Sequence, residues 1–216
     1  MAKTFAVSGQ HYLFDVQAFA HTILALGGDE YEYALRDRST AQVIEDVAAG
    51  VSELGVIVQT STTAAQINAV LEERGLEFVS CAESDPMIAL PASHPLSNAK
   101  ELTLEELADW PYLCFEQEAD APAFFAEEAL SEVPRSKVIK CTDRASLSEL
   151  ASAVNGYTVT SGILVGITDG GSLTTIPLKT DVRLNLGYIV PKGAQLGEFA
   201  TRFVANLTRS LERYAS

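Results

Sequence analysis

Residues 85–115 read DPMIALPASHPLSNAKELTLEELADWPYLCF. Met87 to Pro91 form a short apolar strand, entered through Asp85-Pro86, where proline suits a chain changing direction. His94-Pro95 marks a turn, because a residue before proline is pushed out of the helical region. Thr103 and Glu106 stand three apart, the spacing of a capping box, in which hydroxyl and carboxylate satisfy each other's backbone N–H groups. Leu104 and Leu107 supply the inward face of the short helix this predicts, and Pro111 ends it. Tyr112 to Phe115 is a strand again. Strand, turn, helix and strand inside 31 residues predict a mixed α/β fold.

The preceding 84 residues carry the same alternation. TFAVS (4–8) is strand-like, and Leu13, Val16, Phe19, Ala20 and Ile23 then recur at helical spacing until Gly27-Gly28. YEYALR (31–36) is the next strand. Ser39 with Gln42 opens a helix whose stripe is Val43, Ile44, Val47 and Ala48. LGVIVQ (54–59) is nearly all apolar, as expected of a parallel strand covered on both faces. A β-α-β-α-β run of this kind winds right-handed onto a parallel sheet. A helix from Ala64 to Arg74, closed by Gly75, leads to LEFVSCA and the segment quoted above.

Beyond residue 115 the chain turns acidic. Glu116, Glu118, Asp120, Glu127, Glu128 and Glu132 have no base among them and predict a solvated helix face around buried Phe124, Phe125 and Leu130. VIKC (138–141) is a strand, and Leu147, Leu150, Ala151 and Val154 mark a helix closed by Asn155-Gly156. YTV, LTTIPL and LNLGYIV add strands. Leu196, Phe199, Ala200, Phe203, Leu207 and Leu211 give the last helix its apolar stripe. No internal repeat is visible in the sequence.

Composition narrows the function. The 216 residues carry 15 basic and 29 acidic side chains, a formal charge of −14, which disfavours DNA binding by this chain alone. Apolar runs such as Leu54 to Val58 are too short to cross a bilayer, and no apolar leader follows Met1-Ala2-Lys3. Cys81, Cys114 and Cys141 lie far apart in apolar surroundings and read as reduced thiols of a cytoplasmic protein. His11, His21 and His94 show no ligand spacing, so neither a metal nor a cofactor is expected, and no catalytic motif is present.

With its turn, helix and strand in this order, the 85–115 segment resembles the middle of the effector-binding domain of LysR-type transcriptional regulators. TFAVSGQHYLF, AQVIEDVAAGVSELGVIV, SLSELASAVNGYTV and LGYIVPKGAQLGEFATRFVANL fall in the family's order across essentially the whole chain. Two departures matter. Glu53-Leu54 stands where Asp-Leu is usual, and polar Thr160-Ser161 replaces a segment that is usually apolar. The resemblance implies a fold like the type II periplasmic binding proteins, with two α/β subdomains joined by two crossovers and a ligand cleft between them. Residues 1–84 and 187–216 are expected to form subdomain I, and 85–186 subdomain II. The crossovers are expected near Ser84-Asp85-Pro86 and near Leu184 to Leu186. The resemblance also implies a homodimer, or a higher homo-oligomer, built by side-by-side antiparallel association. DNA is expected to be met only through the family's winged helix-turn-helix. That element has no counterpart here, because Met1 stands almost directly before the first strand. The chain therefore reads as a regulatory domain on its own. A stand-alone solute-binding protein of the same fold is the alternative.

Ligands of open parallel sheets bind beyond the carboxyl ends of the strands, where helix N-termini offer free N–H groups and partial positive charge. In this chain those loops hold Ser8, Gly9 and Gln10, then Ser39 and Thr40, then Gln117, Thr142 and Arg144, and finally Thr160 and Ser161. They are the expected contacts of a small polar or anionic effector. The resemblance places family effector contacts at Ser8, Thr40, Gln117 and Thr142, and Gly9 admits close approach to the backbone. The alternative is that Ser8, Ser39 and Thr142 serve only as helix caps. Arg38 and Arg144 are each either a charge partner for the ligand or half of a surface ion pair. His11 reads as a helix-surface residue.

Overall fold

The computed structural model describes residues 3–163 and 173–214. Strands β1 (Lys3–Gly9), β2 (Tyr31–Asp37) and β3 (Leu54–Thr60) alternate with helices α1 (Leu13–Leu26) and α2 (Thr40–Ala48). β1 pairs in parallel with both other strands. Every residue of β3 is buried, as its apolar run requires. A Cβ on Gly55 would stand 2.4 Å from Val43 Cγ1, so this glycine lets α2 lie close on the sheet and fixes the height of Ser39 and Thr40. Helix α3 (Ala64–Glu73) leads to β4 (Leu76–Ser84), and β10 (Leu184–Pro191) returns antiparallel between β3 and β4. The first sheet therefore runs β2-β1-β3-β10-β4.

The second subdomain begins with β5 (Met87–Pro91), which pairs antiparallel with β8 (Thr158–Thr160) and β9 (Leu173–Pro177). β6 (Tyr112–Phe115) and β7 (Val138–Cys141) are parallel. Leu113 N–H donates to Tyr157 O at 2.8 Å and Tyr157 N–H to Pro111 O at 2.9 Å, joining β6 to the start of β8. The combined order β7-β6-β8-β5-β9 repeats that of the first sheet, including one antiparallel strand in the fourth place. The repeat lies in the topology, not in the amino acids. Helix α4 (Arg144–Val154) ends on Asn155 in the left-handed conformation, φ 50°.

Helix α5 (Glu198–Tyr214) closes the molecule against α1. Phe203 meets Phe19 edge-on at 6.3 Å, and Asn206 Nδ2 donates to Thr22 Oγ1 at 3.1 Å inside the contact.

Three expectations change. Leu184 and Leu186 pair with Thr60 and Val58 of β3, so the chain has already rejoined the first sheet at Leu184 and not at 187. Residues 103–110 keep the capping box, with Thr103 N–H donating to Glu106 Oε2 at 2.8 Å, but no α-helix follows. Bonds of i to i−3 type tie Leu107, Ala108 and Trp110, because Pro111 follows too soon for a longer helix to propagate.

The acidic segment differs most. It contains only a 3-10 turn at Ala123–Phe125, between extended Pro122 and Ala126, and Glu127 and Glu128 are buried. Phe125 packs among Val43, Ile44 and Ile67 of the first subdomain. That docking carries the segment across to the first subdomain as an extended arm.

Candidate functional site

The first strand–helix loop is pinned from below. Ser8 Oγ donates to Asp46 Oδ2 at 2.6 Å and lies 2.8 Å from Ser52 Oγ, so it braces α2 and caps no helix. Gln10 Oε1 accepts from Val58 N–H at 2.8 Å, and its Nε2 donates to Thr40 Oγ1 at 2.5 Å. Thr40 Oγ1 in turn donates to the carbonyl of Phe125 at 2.7 Å. These three side chains are fully buried and spend their hydrogen-bonding capacity on the protein. Gly9 lies against Asp15, whose Oδ2 would be 2.0 Å from a Cβ at that position.

Ser39, Gln117 and Thr142 come together. With Arg38, Gln42 and Lys140 they line a polar cavity of about 520 Å³ between the subdomains. Ser39 serves as the N-cap of α2, accepting from Gln42 N–H at 3.4 Å, while its hydroxyl donates to Glu118 Oε1 at 2.6 Å. Thr142 leaves the capping of α4 to Asp143, which accepts from Ser146 N–H at 2.8 Å. Thr142 is thereby left to face the cavity. Both Oε1 and Nε2 of Gln117 are buried without a partner. An amide left so costs about 1–3 kcal/mol, which a hydrogen-bonding guest recovers. Arg38 Nε reaches Asp46 Oδ2 at 3.2 Å, and Lys140 forms no ion pair among the described residues.

Arg144 and Thr160 line a second cavity of about 460 Å³, whose wall includes Leu13, Phe115, Leu147, Val159 and Ile163. Arg144 is committed to the closure of the cleft. Its Nη1 donates to Tyr12 O at 2.7 Å and its Nη2 meets Asp37 Oδ2 at 3.0 Å. Ser161 is buried beside this cavity, its Oγ accepting from Ile163 N–H at 3.3 Å.

Sequence reasoning missed Glu127, Glu128 and the role of His11. The His11 ring stacks on Phe115 at 4.0 Å, and its side chain is only 6% exposed, so it is no surface residue. It borders both cavities. Burial lowers the His11 pKa, but the hydrogen bond and the charge of Glu127 raise it more, leaving it above the usual histidine value. Burial, then the charge of Glu127, pushes the Glu128 carboxyl up to about 8, against the bond it accepts from Phe115 N–H at 2.8 Å. The available signal was a carboxylate pair flanked by apolar neighbours, Phe124-Phe125-Ala126 before it and Ala129-Leu130 after it. Among the described residues no group of three or more His, Cys, Asp and Glu is arranged to hold a metal ion.

Two α/β subdomains of matching strand order, meeting through strand-end loops around a polar cleft, define a bilobal ligand-binding domain of the type II periplasmic-binding-protein architecture. The chain belongs to the LysR substrate binding domain family, whose family model matches residues 30–212. It is the ligand-sensing domain of a LysR-type regulator.

Solved structures carry the same fold. The effector binding domain of QuiR, in complex with shikimate, superposes with a TM-score of 0.65 at 10% identity, over 100% of both chains. HinK, a LysR family transcriptional regulator from Pseudomonas aeruginosa, gives 0.62 at 14% identity, over 98% of this chain and 70% of its own. The reduced form of OxyR gives 0.63 at 12% identity, over 98% of this chain and 97% of its own. Among curated proteins none matches the sequence.

Proposed function

We propose that the effector is a small polar metabolite with an anionic group, held in the cavity between Ser39 and Gln42 on one subdomain and Gln117, Lys140 and Thr142 on the other. The observation that carries this reading is the Gln117 amide, buried at the cavity with neither atom partnered. Among the carboxylates of Asp37, Glu116 and Glu118 that also line the cavity, Lys140 and the Asp46-paired Arg38 supply cationic partners, and the N-terminus of α2 at Ser39 adds partial positive charge. An acidic protein holds an anion this way through local groups, against its overall field. Ser8, Gly9, Gln10 and Thr40 act from behind, fixing the loop and the docked arm, and Arg144 fastens the subdomains. The effector favours one closure of the cleft over another, and that difference is read by a DNA-binding domain elsewhere in the full-length regulator.

Among the described residues six large apolar side chains are exposed, and five of them lie on two edges: Leu24 on α1 and Tyr31 on β2, then Val138 on β7 with Leu150 and Val154 on α4. The two edges hold equivalent places in the two sheets. This supports an antiparallel homodimer, in which each covers the other's counterpart on the partner. The unpaired thiols of Cys81, Cys114 and Cys141 suit the cytoplasm.

The test is a thermal-shift screen of small carboxylates, shikimate among them, followed by calorimetry of any hit. Gln117→Ala and Thr142→Ala are each expected to weaken the hit on the order of tenfold. Unchanged affinity in both variants would refute the site.

A further inference from the structure

The second cavity differs in chemistry from the first. Its wall is mostly apolar, with Ser148, Glu149, Thr158 and Thr160 also lining it, and it is bordered by two buried carboxyl groups, Glu127 and Glu128. Glu127 is committed to His11. Glu128 uses Oε1 to accept from Phe115 N–H, and no other described residue bonds its Oε2. Arg144 at the same cavity is bonded to Tyr12 O and Asp37 and offers nothing to Glu128. A buried carboxyl whose second oxygen no other residue bonds, facing a mostly apolar cavity, stays protonated until a cationic group arrives.

We propose that this cavity is a second ligand site, which takes an amine: an apolar body of alkyl or aryl-alkyl type against Phe115, Leu147 and Val159, with its ammonium group on Glu128. The polar cavity recognises the opposite charge, so the two sites accept different molecules. The proposal goes beyond the anion site and does not depend on which anion fills it. A volume of about 460 Å³ lies in the usual range for small-molecule pockets and accommodates a phenethylamine. Burial and Glu127 hold the Glu128 carboxyl up to about 8, so at neutral pH an arriving ammonium displaces its proton and pairs with the carboxylate that remains. Glu127 and Glu149 at the same cavity disfavour an anionic head, and the one arginine there, Arg144, is already bonded.

Calorimetry on the whole chain tests this with phenethylamine and hexylamine, and with 2-phenylethanol and 3-phenylpropionate as neutral and anionic analogues. Both amines are expected to bind, the alcohol on the order of tenfold more weakly than phenethylamine, and the carboxylate not at all. Glu128→Gln retains an acceptor for Phe115 N–H. It is expected to weaken phenethylamine on the order of tenfold while leaving the alcohol unchanged. Ser148→Trp, at a half-buried position lining the cavity, leaves both carboxyl groups in the sequence while filling the space, and is expected to abolish binding of amine and alcohol alike. Gln117→Ala, in the other cavity, is expected to leave amine binding intact, so failure of the anion site reads separately. The proposal is overturned if neither amine binds at millimolar concentration, if the alcohol or the carboxylate binds as tightly as phenethylamine, or if folded Glu128→Gln keeps wild-type affinity for the amine. Should Glu128→Gln not fold, the head-group series and Ser148→Trp decide.

Discussion

His11 and Glu127 meet twice across the cleft: the ring Nδ1 lies 2.9 Å from Oε1, and the His11 backbone N–H donates to Oε2 at 3.1 Å. One carboxylate thus joins the first strand–helix loop of subdomain I to the arm of subdomain II, 116 residues away in the chain. Both side chains are buried, so solvent does not replace the bonds if one partner is lost. Glu127→Ala is expected to lower stability by roughly 3 kcal/mol, the cost of orphaning one half of a buried pair. Glu127→Gln should cost less, since its amide oxygen still accepts from the backbone. Urea denaturation measures both, and an alanine variant within experimental error of wild type would show that the bridge contributes nothing.

Stability should fall as pH rises. Asp15, fully buried in the first turn of α1, has its carboxyl pushed up to about 8 by burial, an effect that Arg144 only partly offsets. Its unfolded value lies near the ordinary 3.8. Between those limits the folded chain binds more protons than the unfolded one, so the contribution is full below about 4, declines towards about 8, and is flat beyond. Glu128 and His11, both raised, add the same sign. Asp15→Asn keeps the acceptor for Val16 N–H and removes the titration. Its advantage over wild type should grow to a few kcal/mol at alkaline pH and vanish in acid. Parallel pH profiles for the two proteins would refute the assignment.

What the sequence disclosed, and what it hid, follows from the range of the forces involved. β3 was legible because a strand buried on both faces leaves an unbroken apolar run from Leu54 to Val58. α2 was legible because Ser39 and Gln42 are local partners. The cavity around Ser39, Gln117 and Thr142 could be anticipated, since strand ends of an open sheet converge whatever their detail. Ser8, Gln10 and Thr40 were placed in the right loops, yet their partners Asp46, Val58 and Phe125 lie 38 to 85 residues away. No local pattern announces such bonds. The acidic arm misled for a related reason. Its charge count fits a solvated face, while the docking of Phe125 on α2 and α3, a tertiary contact, draws Glu127 and Glu128 inward.

Gly9 is held by packing and not by backbone conformation, since its φ is not among the positive values. A methyl group there would stand 2.0 Å from Asp15 Oδ2 and 3.7 Å from Val56 Cβ. Gly9→Ala is therefore expected to destabilise by about 2–3 kcal/mol, the usual cost of overpacking a rigid site. The clash is with one carboxylate, so Asp15→Ala in the same chain should recover most of the loss. A double-mutant cycle reads this as strong non-additivity. Additive costs would place the strain elsewhere.

The proposed antiparallel dimer makes a prediction that other pairings do not. Leu24, 84% exposed on α1, belongs to subdomain I, and Val154, 39% exposed on α4, belongs to subdomain II. If the two-fold axis sets α1 of one protomer against α4 of its partner, each position occurs twice in the interface, and one substitution introduces two buried charges. Leu24→Glu alone and Val154→Lys alone should each shift the chain to monomer in sedimentation at micromolar concentration. Combined in one chain, they place opposite charges face to face at both symmetric contacts, and dimer should partly return in low salt and be lost again in high salt. A pairing of α1 against α1 would instead leave Val154→Lys dimeric and give the double variant no recovery. That outcome would exclude the antiparallel arrangement while leaving the cleft and its two cavities untouched.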